Sequence, residues 1–185
     1  MLVLDQFENI IQGLIARDET ALEALYDGTL PKVYGLALKI TRRHDLAEEV
    51  VEDTYMQAWQ EAAKFDSTRG PTIAWLMMIC RSRAIDALRQ LDVAECHPAP
   101  DSLQQTQTGG SPLDILLVLE SESDIRHAMA TLSAMQRQLI ALAFFKGFTH
   151  EEIAQQMNMP LGTVKSIVKR AQTKLKTILS GTNKE

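Results

Sequence analysis

From Val93 to Pro112 the chain carries Pro98, Pro100, a Gln/Thr run at 104–108, Gly109-Gly110 and Pro112, a texture that cannot supply a packed core. On both sides of it, apolar residues recur three and four apart, the spacing of amphipathic helices. Together these features predict an all-α chain. Two small helical domains, 1–92 and 113–185, are joined by a flexible acidic linker, 93–112, which spans at most roughly 70 Å when extended.

Within the first domain the pattern predicts helices over Gln6–Leu14 and Glu19–Tyr26, with Phe7, Ile10, Ile11, Leu14, Leu22, Leu25 and Tyr26 as apolar positions. Pro31 is expected to open a third helix, because its missing N–H costs nothing in a first turn. Asp45, with Glu48 three residues on, has the form of a capping box starting a helix to about Lys64. That helix turns Leu46, Val50, Val51, Tyr55, Ala58 and Trp59 one way and Glu48, Glu49, Glu52 and Asp53 the other. Asp66-Ser67-Thr68-Arg69-Gly70-Pro71 has turn chemistry, and an apolar helix from about Thr72 to Leu91 follows.

Several function classes are excluded early. The chain has no glycine-rich phosphate loop, HExxH or GxSxG. Cys80 and Cys96 form neither a disulfide framework nor a CxxC zinc site, and His44, His97, His127 and His150 are scattered. No metal, cofactor or small-molecule substrate is expected, and no enzyme. The longest apolar run, Ile73–Cys80, is far shorter than the roughly 20 residues of a membrane helix. Asp5 and Glu8 stand where a secretory signal would be basic and apolar. The expected setting is cytoplasmic, without membrane insertion.

Charge is distributed unevenly. Residues 1–92 hold 15 acidic against 10 basic side chains, whereas residues 161–180 carry Lys165, Lys169, Arg170, Lys174 and Lys176 with no acid among them. A local basic stripe on a protein of net charge −5 suggests one polyanionic partner and a second partner for the acidic surface.

The sharpest local signal lies at 149–178. Thr149 and Glu152 form a capping box for a short helix, Asn158–Gly162 turns the chain, and Thr163 is expected to cap a second helix. Val164, Val168, Ala171 and Leu175 give that helix an apolar stripe and leave Lys165, Ser166, Lys169 and Arg170 outside. A short helix, a tight turn and a basic second helix make a helix-turn-helix, whose second helix can enter the DNA major groove. Arg170 or Lys165 suit guanine edges; Thr163, Ser166 and the helix start suit phosphates. The alternative is a solvated lysine face on a packed hairpin.

Taken together, the two halves resemble the sigma-70 family of bacterial transcription initiation factors, in its extracytoplasmic-function (ECF) group. In the first half the resemblance rests on Leu25-Tyr26, Val33–Ala37, Asp45–Tyr55, Ala58-Trp59, Lys64-Phe65-Asp66, Arg69-Gly70, Ala74-Trp75-Leu76 and Arg81–Asp86. In the second it rests on Ala130–Leu132, Gln136-Arg137, Phe144–Gly147, Glu152-Ile153-Ala154 and Pro160–Ser166. The first set is the more specific.

The resemblance implies a factor that binds core RNA polymerase and directs it to promoters. Glu49, Val50, Glu52 and Asp53 match the segment that docks on the polymerase clamp helices, and an acidic face bordered by apolar residues suits a basic coiled coil. Arg69, Trp75, Arg81, Ser82, Arg83 and Arg89 match the part that captures and melts the −10 element. Trp75, amid Ile73, Leu76 and Ile79, fits a core position more often than a stacking platform. The helix-turn-helix, with Thr163, Lys165, Ser166, Lys169 and Arg170, would read the −35 element, and the linker would thread toward the active centre. An anti-sigma factor is the expected regulator.

Two positions depart from the family pattern. Ser82 replaces a common Asn and loses an amide's bidentate reach. Ile167 replaces a common Arg, which would reduce the salt dependence of −35 binding by about one unit of slope. Two competing readings predict different behaviour. A DNA-binding regulator whose N-terminal helices sense a ligand or dimerise would bind its operator tightly without polymerase, and a protein-only helical adaptor would ignore charge reversal at Lys165 and Arg170.

Overall fold

The computed structural model describes residues 2–95 and 122–182, all helix, 3-10 turn or connecting loop. The chain divides into two compact units, Met1–Gly110 and Ser111–Glu185. Residues 96–112 of the expected linker, and residues 113–121 beyond it, lie outside the described residues.

The N-terminal unit contains α1 (Leu2–Ile15), α2 (Glu19–Thr41), α3 (His44–Glu61) and α4 (Thr72–Glu95), with 3-10 turns at Ala62–Lys64 and Ser67–Arg69. Helices α2, α3 and α4 pack on one another, and α1 lies against α2. The core they enclose includes Leu14, Leu25, Val33, Ala37, Ala47, Val50, Ala58, Leu76 and Cys80. At Gly13 a methyl group would sit 2.5 Å from the Ala21 Cβ, so α1 can approach α2 only through glycine.

Three local expectations are corrected. Pro31 does not start a helix: α2 runs unbroken from Glu19 to Thr41 with Pro31 inside it. Pro31 is exposed, so the Asp27 carbonyl that receives no amide from it stays on the wet side, where water can satisfy it. Asp45 is not the cap of α3 either. The cap position is Arg43, whose guanidinium donates to both Asp45 oxygens from the preceding loop. The carboxylate is thereby engaged by a loop side chain as well as by the backbone of the first turn, within which Asp45 itself lies. Finally, α4 continues to Glu95, past its expected end at Leu91.

The second unit contains α5 (Glu122–Ala130), α6 (Ala134–Phe145), α7 (His150–Gln156) and α8 (Leu161–Thr182). Helix α8 is the hub against which α5, α6 and α7 pack. Its stripe of Val164, Val168, Ala171 and Leu175 is buried as expected, against Leu139, Ile140, Phe144 and Ile153 among others. Capping boxes start both α6 (Ser133 with Gln136) and α7 (Thr149 with Glu152). Gly147, at φ 67°, follows α6 in the left-handed conformation that glycine adopts without strain.

Candidate polymerase and nucleic-acid interfaces

On α3 the side chains of Glu48, Glu49, Glu52 and Asp53 are all exposed, so four carboxylates share one solvent face. Val50, expected within this contact set, is only 2% exposed and belongs to the core. Its position one residue beyond Glu49 turns it about 100° away from the acidic face. It supports the helix from behind and offers a partner nothing. Met56, which the sequence reading omits from this surface, is 58% exposed. It lies three and four residues from Asp53 and Glu52, the spacing that would have revealed it. Beside this face a shallow groove between α2 and α3 is lined by Tyr26, Leu30, Pro31, Tyr34, Glu48, Val51 and Glu52.

The loop between α3 and α4 is built by local hydrogen bonds. Asp66 caps the second 3-10 turn, accepting from the Thr68 hydroxyl and amide, and these bonds hold its carboxyl below the usual range. Arg69, at the end of that turn, is exposed. Gly70 follows at φ 152° and ψ 175°, a conformation essentially reserved for glycine. Trp75 is half-buried and meets Phe65 edge to face, with ring centroids 5.5 Å apart. It therefore bridges loop and helix, neither wholly core nor wholly platform.

Along α4, Trp75, Ser82 and Arg89 are spaced by seven residues and share one stripe about 21 Å long. Ser82 and Arg89 are exposed, and Arg81 and Arg83 are half-buried on the flanks. Arg83 reaches across to α3, where its Nε donates to Gln57 Oε1 at 2.8 Å.

In the second unit, α7 and α8 form the expected helix-turn-helix. The turn between them places Asn158 at φ 49°, and the Met159 amide donates to the Ala154 carbonyl at 2.9 Å. Helix α8 begins at Leu161, three residues before the start that a Thr163 cap would set. The Pro160 carbonyl already accepts from the Thr163 and Val164 amides, so Thr163 lies within the first turn and is not the cap.

Thr163, Lys165, Ser166, Lys169 and Arg170 are all exposed. Three of them form a chain: Ser166 Oγ donates to the Thr163 carbonyl, and Arg170 folds back to donate to the Ser166 carbonyl and hydroxyl. Lys165 lies 3.6 Å from Glu151 of α7, in an exposed pair of small energetic weight. Lys174, a member of the basic stripe, is engaged elsewhere, its ammonium donating to the Thr131 carbonyl just after α5.

Among the described residues no group of three or more His, Cys, Asp or Glu is placed to hold a metal ion, and no helix is long and apolar enough to cross a membrane. Cys80 is buried, with its Sγ donating to the Val33 carbonyl.

An acidic helix leading into an arginine-bearing helix, followed by a separate helix-turn-helix unit, defines a helical DNA-binding protein that also carries an exposed acidic face. The family model described as Sigma-70 region 2 matches residues 25–93, and that described as Sigma-70, region 4 matches residues 128–177. The chain belongs to the sigma-70 family, in its ECF group.

Its relatives include the ECF RNA polymerase sigma factor SigK of Mycobacterium sp. (strain KMS), 28% identical over 185 residues, covering 96% of this chain and 92% of the relative. SigK of Mycobacterium tuberculosis (strain ATCC 25618 / H37Rv) is 27% identical over 180 residues, covering 92% and 91%. Among solved structures, Rhodobacter sphaeroides SigE in complex with the anti-sigma ChrR is 31% identical over 93% of this chain and 97% of that one, with a TM-score of 0.46. RpoE in complex with the anti-sigma factor NepR, from Bartonella quintana, is 28% identical over 85% and 96%, with a TM-score of 0.37.

Proposed function

We propose that this chain acts as a promoter-specificity subunit, with no catalytic chemistry of its own and acting in the cytoplasm. The N-terminal domain, 1–92, docks on core RNA polymerase through Glu49, Glu52 and Asp53, with Val50 behind them as support. Arg69, Trp75, Arg81, Ser82, Arg83 and Arg89 capture the −10 element as it opens. The C-terminal domain, 113–185, reads the −35 duplex with Thr163, Lys165, Ser166, Lys169 and Arg170. The segment 93–112 is the tether between them.

The observation that carries this reading is the juxtaposition of opposite surfaces within one small unit. Four carboxylates on α3 face solvent, while the next helix presents Arg81, Arg83 and Arg89. A DNA-binding regulator has no use for the acidic face, and a protein-only adaptor has none for the arginines. The tether makes engagement of the second DNA element intramolecular, so neither domain needs high affinity alone. An anti-sigma factor that covers these surfaces would hold the protein inactive; the relatives SigE and RpoE form complexes with the anti-sigma factors ChrR and NepR.

Run-off transcription on genomic fragments with bacterial core polymerase tests this reading. A start site that requires both proteins is expected. Glu52→Lys should abolish it by preventing assembly with core. Arg170→Glu should leave assembly intact and weaken −35-dependent initiation. Tight duplex binding without polymerase, and no transcript, would favour the regulator.

A further inference from the structure

Arg83 is held by an arrangement that has a consequence for its charge. Its Nε donates to Gln57 Oε1 at 2.8 Å, and Gln57 Nε2 donates to Glu61 Oε2 at 3.1 Å. The second Glu61 oxygen accepts from Lys64 Nζ at 2.7 Å. The order of these groups is chemically fixed. A guanidinium can only donate and an ionised carboxylate can only accept, so the amide between them has one possible orientation. Glu61 stays ionised, its carboxyl held below the usual range first by Lys64 and then by Gln57.

Only the Nε of Arg83 is used. Among the described residues, its two terminal nitrogens make no hydrogen bond. Had a carboxylate stood at position 57, it would have taken the guanidinium fork and offset its charge. A neutral amide fixes the side chain without an ion pair, and the Glu61 carboxylate beyond it acts on the guanidinium only weakly and through space.

We propose that Gln57 is a positioning residue for promoter opening, presenting the Arg83 guanidinium, fixed but not neutralised, to a phosphate of single-stranded −10 DNA. This rests on the reading of Arg83 as a −10 contact. Glu61 and Lys64 complete the support by anchoring the amide from its other side.

The decisive experiment uses holoenzyme assembled with core polymerase, and a labelled single strand from the −10 region of a promoter mapped by run-off transcription. Gln57→Glu should keep the tie between α3 and α4 with unchanged core affinity; the lost donor to Glu61 and the like charge four residues from it should lower the melting temperature slightly. Binding of the strand should nevertheless fall about fivefold or more, as a charge-assisted contact is lost. The salt dependence of binding should drop by about 0.7 in slope, the value for one phosphate contact on a single strand.

In an Arg83→Met background the same substitution should change little. Equal losses in both backgrounds, or binding like that of the unsubstituted protein, would overturn the proposal. If Arg83→Met alone leaves binding unchanged, the −10 reading of Arg83 fails and the role of Gln57 fails with it. If Arg83→Met weakens binding and Gln57→Glu does not, only the role of Gln57 fails. Gln57→Met, which keeps length but makes neither bond, is read in the same way should Gln57→Glu not fold.

Discussion

The Tyr55 hydroxyl of α3 lies 2.7 Å from Thr29 Oγ1 of α2, and Thr29 also donates to the Leu25 carbonyl inside its own helix. Both side chains are buried, so this polar contact is enclosed by apolar core. The Tyr26 ring packs against Tyr55 with centroids 4.8 Å apart and forms part of the groove wall beside Glu48 and Glu52. A core hydrogen bond is thereby linked to the border of the acidic face of α3.

Tyr55→Phe removes one partner and leaves Thr29 with its backbone acceptor. The expected cost is about 1 kcal/mol. Thr29→Val strands the buried phenol and should cost more, about 1–3 kcal/mol. Urea unfolding followed by circular dichroism measures both, and equal costs would show that the phenol does not depend on Thr29.

Burial pushes the Tyr55 hydroxyl up to about 12 from an ordinary value of 10. A folded value above the unfolded one favours the neutral form in the native state. Its contribution to stability is complete below pH 10 and is lost as the pH rises from 10 toward 12. Absorbance titration of tyrosinate should show one residue ionising last, and that component should vanish in Tyr55→Phe.

At the start of α3 the sign is opposite. Asp45 is lowered to about 2, first by the Arg43 hydrogen bond and then by the Leu46 backbone. The preference for the folded state exists above an ordinary carboxyl value near 3.8 and fades as the pH falls toward 2. Carboxyl NMR should place the Asp45 midpoint near 2, and Arg43→Ala should move it upward. An unmoved midpoint would assign the shift to the helix backbone alone.

Cys80 should be inert. Its thiol is buried and pushed up to about 12, chiefly by desolvation, so almost no thiolate exists at neutral pH. In a Cys96→Ser background, a thiol-reactive dye should label the folded protein only at the rate of unfolding. Rapid labelling in native buffer would contradict the burial.

Lys169 and Lys174 look equivalent in sequence and should behave differently. Lys169 is exposed with no side-chain partner among the described residues, whereas Lys174 bonds the Thr131 carbonyl across 43 residues. Lys169→Ala should reduce the salt slope of −35 binding by about 0.9 without changing stability. Lys174→Ala should lower the melting temperature of the second unit and leave the slope alone. Fluorescence anisotropy of holoenzyme on −35 duplex, beside a thermal melt, separates the two.

Much of this protein is legible without coordinates because local periodicity and local capping are properties of adjacent residues. The stripe from Val164 to Leu175 and the Thr149–Glu152 capping box each depend on neighbours a few positions apart, and each stands where its pattern places it. The acidic face of α3 follows from the same periodicity. Even here local rules compete: Asp45 has the spacing of a capping box, but Arg43 claims its carboxylate.

The tertiary structure decided what lies between helices. The resemblance counts Val50 among the docking residues while the periodicity of α3 turns it inward, and packing against α2 and α4 decides for the core. Pro31 remains inside α2 because neighbouring helices hold its flanks. The pairing of Arg83 with Gln57 across 26 residues, and of Lys174 with Thr131 across 43, depends on where two helices cross. Long side chains reach several ångströms in many directions, and the partner that satisfies them is set by packing rather than by spacing along the chain.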